Sequence, residues 1–335
     1  MPKLLRIAVD ASGGDDAPDA VLAGVDEALA ARGDFEVALC GLPEVVEPFA
    51  ASRPRVTPVG CSETIDMGEH GARAVRSKRD SSIVVGCKLV KDGAAQGFFS
   101  AGSTGACMAA ATLFMGRLRG VKRPAIATVI PSPAGRCILC DCGANADCKP
   151  EYLVQFASMG AVYAKTVLGV ASPRIGLLNI GAEEEKGSEF AQACHKLLKE
   201  RVAGFAGNAE GRDVALGRFD VIVTDGFTGN VALKAFEGVG KALFSALKDA
   251  MTDTARHKLG ALLVRDALMD LKASVSPDEY GGAQLLGVRG VCLIGHGSAN
   301  AHAIASGVLA TADAVSLDMP ARISERIAAH ADEGR

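Results

Sequence analysis

Tryptophan is absent from the 335 residues, and aromatic side chains of all kinds amount to 4%. Proteins that hold single-stranded nucleic acid stack its bases on aromatic rings, so that class is disfavoured. An excess of one charge sign is also missing, with 36 Lys+Arg against 39 Asp+Glu and a net charge of −3. Such a balance supplies no general counter-charge for a phosphate backbone, and no nucleic-acid partner is expected. No apolar run reaches the roughly 18–20 residues that cross a bilayer. The opening stretch Met1–Asp10 meets an acid too early for an export signal and reads as a first strand, so a cytoplasmic location is expected. Ten cysteines without an export signal are then expected as reduced thiols, not as a disulfide framework. With 49% hydrophobic and 22% charged residues, the composition excludes a disordered, collagenous or coiled-coil chain.

Familiar cofactor motifs are missing as well. The first loop lacks the G-x-G-x-x-G spacing, no G-x-x-x-x-G-K-[ST] occurs, and no G-x-S-x-G nucleophile elbow is present. Cys137-x-x-Cys140-x-Cys142, followed by Cys148, suggests zinc or an iron–sulfur cluster. The opposing reading is a buried strand in which cysteine serves as a small hydrophobe. On a strand, Cys140 and Cys142 share one face while Cys137 points to the other, which does not gather ligands around one ion. No metal and no cofactor are expected.

What is present is a repeated sequence of apolar run, Gly-rich polar loop and Ala-rich amphipathic stretch. This alternation predicts an α/β architecture with a mainly parallel sheet, in one continuous domain over 1–335. Strands are predicted at Leu4–Asp10, Phe35–Cys40, Arg55–Val59, Gln96–Ser100, Arg174–Ile180, Phe219–Thr224 and Val291–Ile294. Ala125–Ile130 and Arg136–Asp141 read as a strand pair turning at Pro131-Ser132-Pro133. Helices are predicted at about Pro18–Ala31, His70–Arg79, Pro150–Leu168 and Ser188–Arg201. Residues from about 230 to 272 carry no strand signal and read as two consecutive helices with a broad apolar face. That face suits a dimer or core contact, or a surface hairpin dipping into a lipid interface.

In open α/β sheets, ligands bind beyond the carboxyl ends of the strands. Four loops follow predicted strands and precede predicted helices: Ser100–Ala106, Gly181–Ser188, Asp225–Asn230 and Gly295–Asn300. The first carries no acid, offers hydroxyls at Ser103 and Thr104, and has glycines that let backbone N–H groups approach a ligand. The Ser12–Asp16 loop, by contrast, holds Asp15 and Asp16 and repels an anion. An anion site is therefore expected at Ser100–Ala106, including Gly105, with the loops gathered at one rim of the sheet. A plain helix cap is the competing reading for each loop. His296 is the histidine that falls inside one of them.

Taken in order, several stretches resemble the PlsX-type phosphate acyltransferase family of bacterial phospholipid synthesis. They are Ala8–Asp15, Ser100–Ala106, Asp141–Pro150, Asn179–Ser188, Thr224–Asn230, Tyr280–Ala283 and His296–Asn300. Two departures stand out: Ala11-Ser12 replaces the family's usual Ala-Met, and Cys137 and Cys140 stand where aliphatic residues are usual. The resemblance implies a homodimeric α/β/α fold, Rossmann-like and similar to phosphotransacetylases. It implies transfer of a long-chain acyl group from acyl carrier protein to inorganic phosphate, with acyl phosphate feeding phosphatidic acid synthesis. It points to Lys186 as a positive charge and Asn230 as an amide donor at the reacting centre. Asn145, Lys149, Asp225 and His296 follow as further phosphate or substrate contacts. A solvated partner for Glu183–Glu185 is the alternative role of Lys186, and a helix cap that of Asn230.

An acidic carrier calls for a local basic patch. Arg117, Arg119, Lys122 and Arg123 form one candidate; Arg73, Arg76, Lys78 and Arg79 form another. Further partners on this reading are a second copy of the chain, the membrane surface and a downstream glycerol-3-phosphate acyltransferase. Three other readings stay open: a phosphate acetyltransferase using coenzyme A thioesters, a nicotinamide-dependent dehydrogenase on a related fold, and a non-catalytic carrier-binding scaffold.

Overall fold

The computed structural model describes residues 4–132, 135–275 and 277–333. Its strands are β1 (Leu5–Asp10), β2 (Phe35–Gly41), β3 (Val56–Gly60), β4 (Gly97–Ser100), β5 (Ala125–Ser132), β6 (Gly135–Cys140), β7 (Ile175–Asn179), β8 (Phe205–Glu210), β9 (Val221–Val223), β10 (Ala283–Leu286) and β11 (Val291–Ile294). Its helices are α1 (Asp19–Ala31), α2 (Pro43–Ala50), α3 (Gly71–Ser77), α4 (Ser82–Lys91), α5 (Thr104–Ala110), α6 (Pro150–Val167), α7 (Glu189–Arg201), α8 (Asp213–Leu216), α9 (Gly226–Thr252), α10 (Ala255–Leu263), α11 (Arg265–Val275), α12 (Ala301–Ser316) and α13 (Met319–Glu333).

The strands form one sheet in the order β3-β2-β1-β4-β11-β10-β5-β6-β9-β7-β8. Central strands such as β4 and β11 are buried throughout and read as short apolar runs, as sheets covered on both faces require. One face packs against α1, α2, α6, α7, α12 and α13 through residues such as Val25, Val46, Leu153, Leu198, Ile304 and Ile323. The other packs against α3, α4, α5, α8 and the start of α9 through Val75, Ile83, Cys107, Val214 and Phe236. This is the α/β/α layering that the resemblance implied, on the mainly parallel sheet that the alternation predicted.

Most pairings are parallel, but β11–β10, β10–β5 and β5–β6 are antiparallel. Three inversions are an odd number. The parallel set β1, β2, β3, β4, β11 therefore runs opposite to the parallel set β6, β9, β7, β8. Sequence periodicity gives no strand direction, and this inversion is what it left out. The β5–β6 pair is as predicted, but β5 runs on through Pro131 and Ser132, which were expected in the turn and instead pair with Arg136 and Gly135; Pro133 lies outside the described residues. Absent from the sequence reading were β8, β10, α2, α8 and α13.

The excursion after β9 also differs from expectation. It comprises three helices, α9 to α11, and begins at Gly226. Asp225 caps α9, its carboxylate accepting from Thr228 N at 2.9 Å, so the helix starts before Asn230. The first turns of α9 pack on the core through Ala232, Leu233 and Phe236. Beyond them Val239 and Leu243 on α9, and Leu259, Leu262 and Leu263 at 61–80% exposure on α10, face outward.

Candidate active site

Strand direction divides the expected site residues into two groups. At the carboxyl ends of β1, β4 and β11 lie Ser103, Thr104, Gly105 and His296. At the carboxyl ends of β6, β9 and β7 lie Asn145, Lys149, Asp225, Asn230 and Lys186. The expected common rim is therefore not what a single chain forms, because the three antiparallel pairings put the two sets at opposite strand ends. No hydrogen bond among the described residues joins them. Twist partly offsets the inversion. At roughly 20–25° per step, the five steps from β4 to β9 turn the strands by about 100–125°. Both α5 and the first turns of α9 pack on the same apolar face.

The first group is organised by Asp10, buried at the end of β1. Its carboxylate accepts from Ser100 Oγ at 2.6 Å and from Ser12 N at 3.0 Å. Ser100 Oγ in turn accepts from Gly102 N at 3.0 Å. Burial pushes the Asp10 carboxyl above its ordinary range, against the pull of those hydrogen bonds. A Cβ at Gly13 would lie 2.6 Å from both Asp10 Oδ2 and Gly102 N, so the two loops approach this closely because residue 13 is glycine. Ser103 caps α5, accepting from Ala106 N, while Thr104 and Gly105 are exposed. His296 is exposed, with Nδ1 2.9 Å from Ser298 Oγ. A cavity of about 280 Å³ opens here between the β1, β2, β3 and β4 loops, lined by Ser12, Thr64 and Asp66 opposite Leu42, Val45 and Met67.

The second group is organised by Asp141, buried just past β6. It accepts from Ile126 N, Ala144 N, Asn145 N and Asn145 Nδ2 at 2.8–3.0 Å. Burial pushes this carboxyl up too, and the four donors pull it back. Asn145 also donates Nδ2 to Pro124 O at 2.8 Å, so its amide hydrogens are committed inside the fold. Its carbonyl accepts from Gly226 N at 2.7 Å, which docks the start of α9 on this loop. A Cβ at Gly229 would collide with the Asp141 carbonyl oxygen, so α9 seats here through a glycine. With Asp225 engaged by Thr228, the groups left free are Asn230, Lys149 and Lys186. The Asn230 side chain is exposed and stands against Gly143, whose Cβ would lie 3.6 Å from Asn230 Cγ. Lys186 is exposed in the turn after β7. Asn179 Nδ2 shapes that turn by donating to the Lys186 carbonyl at 3.1 Å. The Glu183–Glu185 alternative does not hold at the ammonium: Lys199 pairs with Glu184, and among the described residues Lys186 Nζ has no carboxylate partner.

Neighbouring strands β9 and β7 send their helices to opposite faces, α9 to one and α7 to the other. A crevice at such a switch is where open α/β sheets take ligands. Asn230 follows β9 and Lys186 follows β7. Sequence reasoning named both through the resemblance but did not name Asp10, Ser100 or Asp141 as organisers. The signal available was an acid ending an apolar run, at β1 and again at β6.

The cysteines form no ligand set, and no group of three or more His, Cys, Asp or Glu suited to a metal occurs among the described residues. Cys137 and Cys142 pack on one face and Cys140 on the other. The expected pairing of Cys140 with Cys142 fails because β6 ends at Cys140 and the chain turns at Asp141. Burial pushes the Cys137 and Cys142 thiols up to about 12.

A family model described as "Fatty acid synthesis protein" matches residues 5–322. A phosphate acyltransferase of Heliobacterium modesticaldum is 47% identical over 328 residues, covering 96% of this chain and 98% of the relative. One from Desulfitobacterium hafniense strain Y51 is 48% identical over 305 residues, covering 90% and 91%. The chain belongs to the PlsX-type phosphate acyltransferase family. It is an acyltransferase. Solved structures agree on the fold. A phosphotransacetylase from Streptococcus pyogenes superposes with a TM-score of 0.61 at 18% identity, covering 94% of this chain and 95% of that one. A branched-chain phosphotransacylase from Enterococcus faecalis V583 gives 0.58 at 14% identity, covering 93% and 99%. The expected likeness to phosphotransacetylases therefore holds. No helix among the described residues is long and apolar enough to cross a membrane.

Proposed function

We propose that this acyltransferase moves a long-chain fatty acyl group from acyl carrier protein to inorganic phosphate. The product, an acyl phosphate, would feed phosphatidic acid synthesis through a glycerol-3-phosphate acyltransferase. The observation that carries the reading is the pair Lys186 and Asn230 on neighbouring strand ends, each with free donors, in a family of phosphate acyltransferases. Lys186 supplies positive charge for the attacking phosphate. As phosphate oxygen adds to the thioester carbonyl, the Asn230 amide donates to the developing oxyanion; one such donor is worth about 3–4 kcal/mol in the barrier. That addition forms the acyl–oxygen bond; collapse re-forms the carbonyl, breaks the carbon–sulfur bond and expels the carrier thiolate. A thiolate leaves readily, so the step needs no acyl-enzyme. Ser103 and Thr104, expected at the phosphate, lie at the opposite strand ends in one chain and take no part in this step.

The exposed apolar sides of α9, α10 and α11 support two further assignments: pairing with a second copy of the chain and contact with a membrane surface. The deciding experiment adds orthophosphate to long-chain acyl carrier protein with the enzyme and measures free carrier and acyl phosphate. Phosphate-dependent release is expected, with little turnover of acetyl coenzyme A. The reverse preference overturns the carrier reading, and acyl-enzyme trapped without phosphate overturns direct attack.

A further inference from the structure

We infer that the acidic carrier protein docks on a ledge formed by residues 116–124, Lys149 and Arg289, beside Asn230. This rests on the carrier reading above and adds where the carrier sits. The sequence offered two basic patches, and the structure separates them.

On the α3 patch, Lys78 Nζ is 2.6 Å from Glu69 and 2.8 Å from the Thr64 carbonyl. Acids interleave it: Glu63 accepts from Asp80 N, and Glu69 accepts from Asp66 N. Of its four cations Lys78 is thus answered internally, and Glu63, Glu69, Asp66 and Asp80 stand between the remaining three. The 116–124 segment differs. Arg117, Arg119, Lys122 and Arg123 are exposed, and none has a carboxylate partner among the described residues. Arg117 donates to backbone carbonyls of Val121 and Lys122, and Arg289 Nε donates to the Arg117 carbonyl at 3.1 Å. Arg289 is far away in sequence and joins the patch only through the fold. The adjoining segments carry the acids Asp147, Glu151 and Asp225, the last engaged by Thr228, against the six cations.

The ledge is also held rigid. Leu118 N donates to Gly287 O and Arg289 N to Gly116 O, each at 2.9 Å. Gln155 clamps the loop from α6, accepting from Lys122 N at 2.8 Å and donating to Gly120 O at 2.9 Å. Cations on a fixed loop lose little freedom on binding, which favours a defined partner.

Its position links it to the reacting centre by contact. Pro124 O is held by Asn145, Asn145 O holds the start of α9, and Asn230 lies in the next turn. A carrier on the ledge is therefore placed where its flexible prosthetic arm extends toward Asn230. An anionic membrane fits less well. Within 116–124, Leu118 is half-buried and Val121 buried, so the ledge offers little to insert among lipid tails.

The test is charge reversal, Arg119→Glu with Lys122→Glu, with binding of fluorescently labelled holo-acyl carrier protein measured by anisotropy at low and high salt. The affinity is expected to fall about tenfold or more and its salt dependence to flatten, since rim charges act through long-range attraction. Arg73→Glu with Arg76→Glu is expected to change the affinity less than about twofold, the usual size for charges outside an interface. Melting temperature checks the fold, and the neutral pair Arg119→Gln with Lys122→Gln should show a smaller loss in the same direction. Unchanged carrier affinity in both Arg119/Lys122 variants overturns the docking site. So does lost binding to phosphatidylglycerol vesicles with carrier affinity intact, which makes the ledge a lipid surface. Absence of carrier turnover by the unmodified enzyme is a separate result and overturns the carrier reading itself.

Discussion

The two strand-end clusters use the same device and finish it with opposite charge. In each, an aspartate ending an apolar run is buried and gathers the donors of a neighbouring loop: Asp10 takes Ser100 and Ser12, and Asp141 takes Ile126, Ala144 and Asn145. In each, glycine lets a second segment press against it, Gly13 in one and Gly229 in the other. Outside, the first cluster shows Asp15, Asp16 and Asp66, all exposed, around its cavity. The second shows Lys149, Lys186 and the 116–124 ledge. Glycine content and strand position are alike at the two ends. What separates them is which polar groups remain unpartnered after the fold has used the rest: the second end leaves Lys149, Lys186 and the Asn230 amide facing solvent.

The comparison breaks first on activity. Lys186→Ala and Asn230→Ala should each lower kcat/KM about 10²–10³-fold, the usual loss for a charge or donor acting on the transition state. Ser103→Ala should cost about tenfold or less, because its hydroxyl already serves the α5 cap, a role worth only about 1 kcal/mol. Steady-state kinetics with phosphate varied checks both. An equal loss at Ser103 would mean that both strand ends serve one centre.

Stability comes next. Asp141→Ala orphans three backbone N–H groups and the Asn145 amide inside the fold. At about 1–3 kcal/mol for each unsatisfied buried group, a loss of several kcal/mol is expected. Asp10→Ala takes the acceptor from one backbone N–H and from the hydroxyls of Ser100 and Ser82, which leaves fewer backbone groups orphaned, and a smaller loss is expected. Denaturant unfolding of the two variants measures the ratio, and a larger loss at Asp10 would reverse the ranking of the two organisers.

Much of this architecture was readable in the sequence because its signals are local. Apolar runs marked β1, β2, β4, β7 and β11, while Pro150 and Ser188 marked the starts of α6 and α7. Strand direction was not readable. Gln284 and Leu285 of β10 look like any short apolar run, yet their antiparallel pairing with β5 and β11 helps to turn half the sheet over. The candidate site divided in the same way. The resemblance pointed to Lys186 and Asn230, whereas the commitment of Asn145 to Pro124 and Asp141, and of Asp225 to Thr228, depends on contacts that no spacing reveals. Arg289 joined the ledge for the same reason, across 172 residues.

The thiols sharpen the comparison on a smaller scale. Cys107 backs the first cluster and is fully covered, with burial pushing its thiol up to about 12; Cys148 beside the second is half-exposed, held at about 11. Reactivity follows the thiolate fraction and access. Iodoacetamide at pH 8 should modify the native protein slowly, and peptide mapping should find Cys148 labelled before Cys107. Rapid labelling of Cys107 would show that the first cluster opens in solution.

The smallest effect concerns the helix that follows the β11 loop. His302 on α12 sits 2.7 Å from Glu27 of α1 and 3.4 Å from Glu279. The hydrogen bond to Glu27 raises its pKa above the ordinary 6.5, against slight burial. A folded-state pKa above the unfolded one means that the folded chain binds the proton more tightly. The contribution is therefore complete below about 6.5 and fades as pH rises through the folded value. His302→Gln should flatten the dependence of melting temperature on pH in that window while leaving it unchanged well above. The shift is expected to be small, because exposed ion pairs contribute about 0–1 kcal/mol. The second cluster has no histidine in its loops, so the same substitution should leave the pH profile of kcat unmoved. A displaced kcat profile would couple α12, and with it the first strand end, to the chemistry.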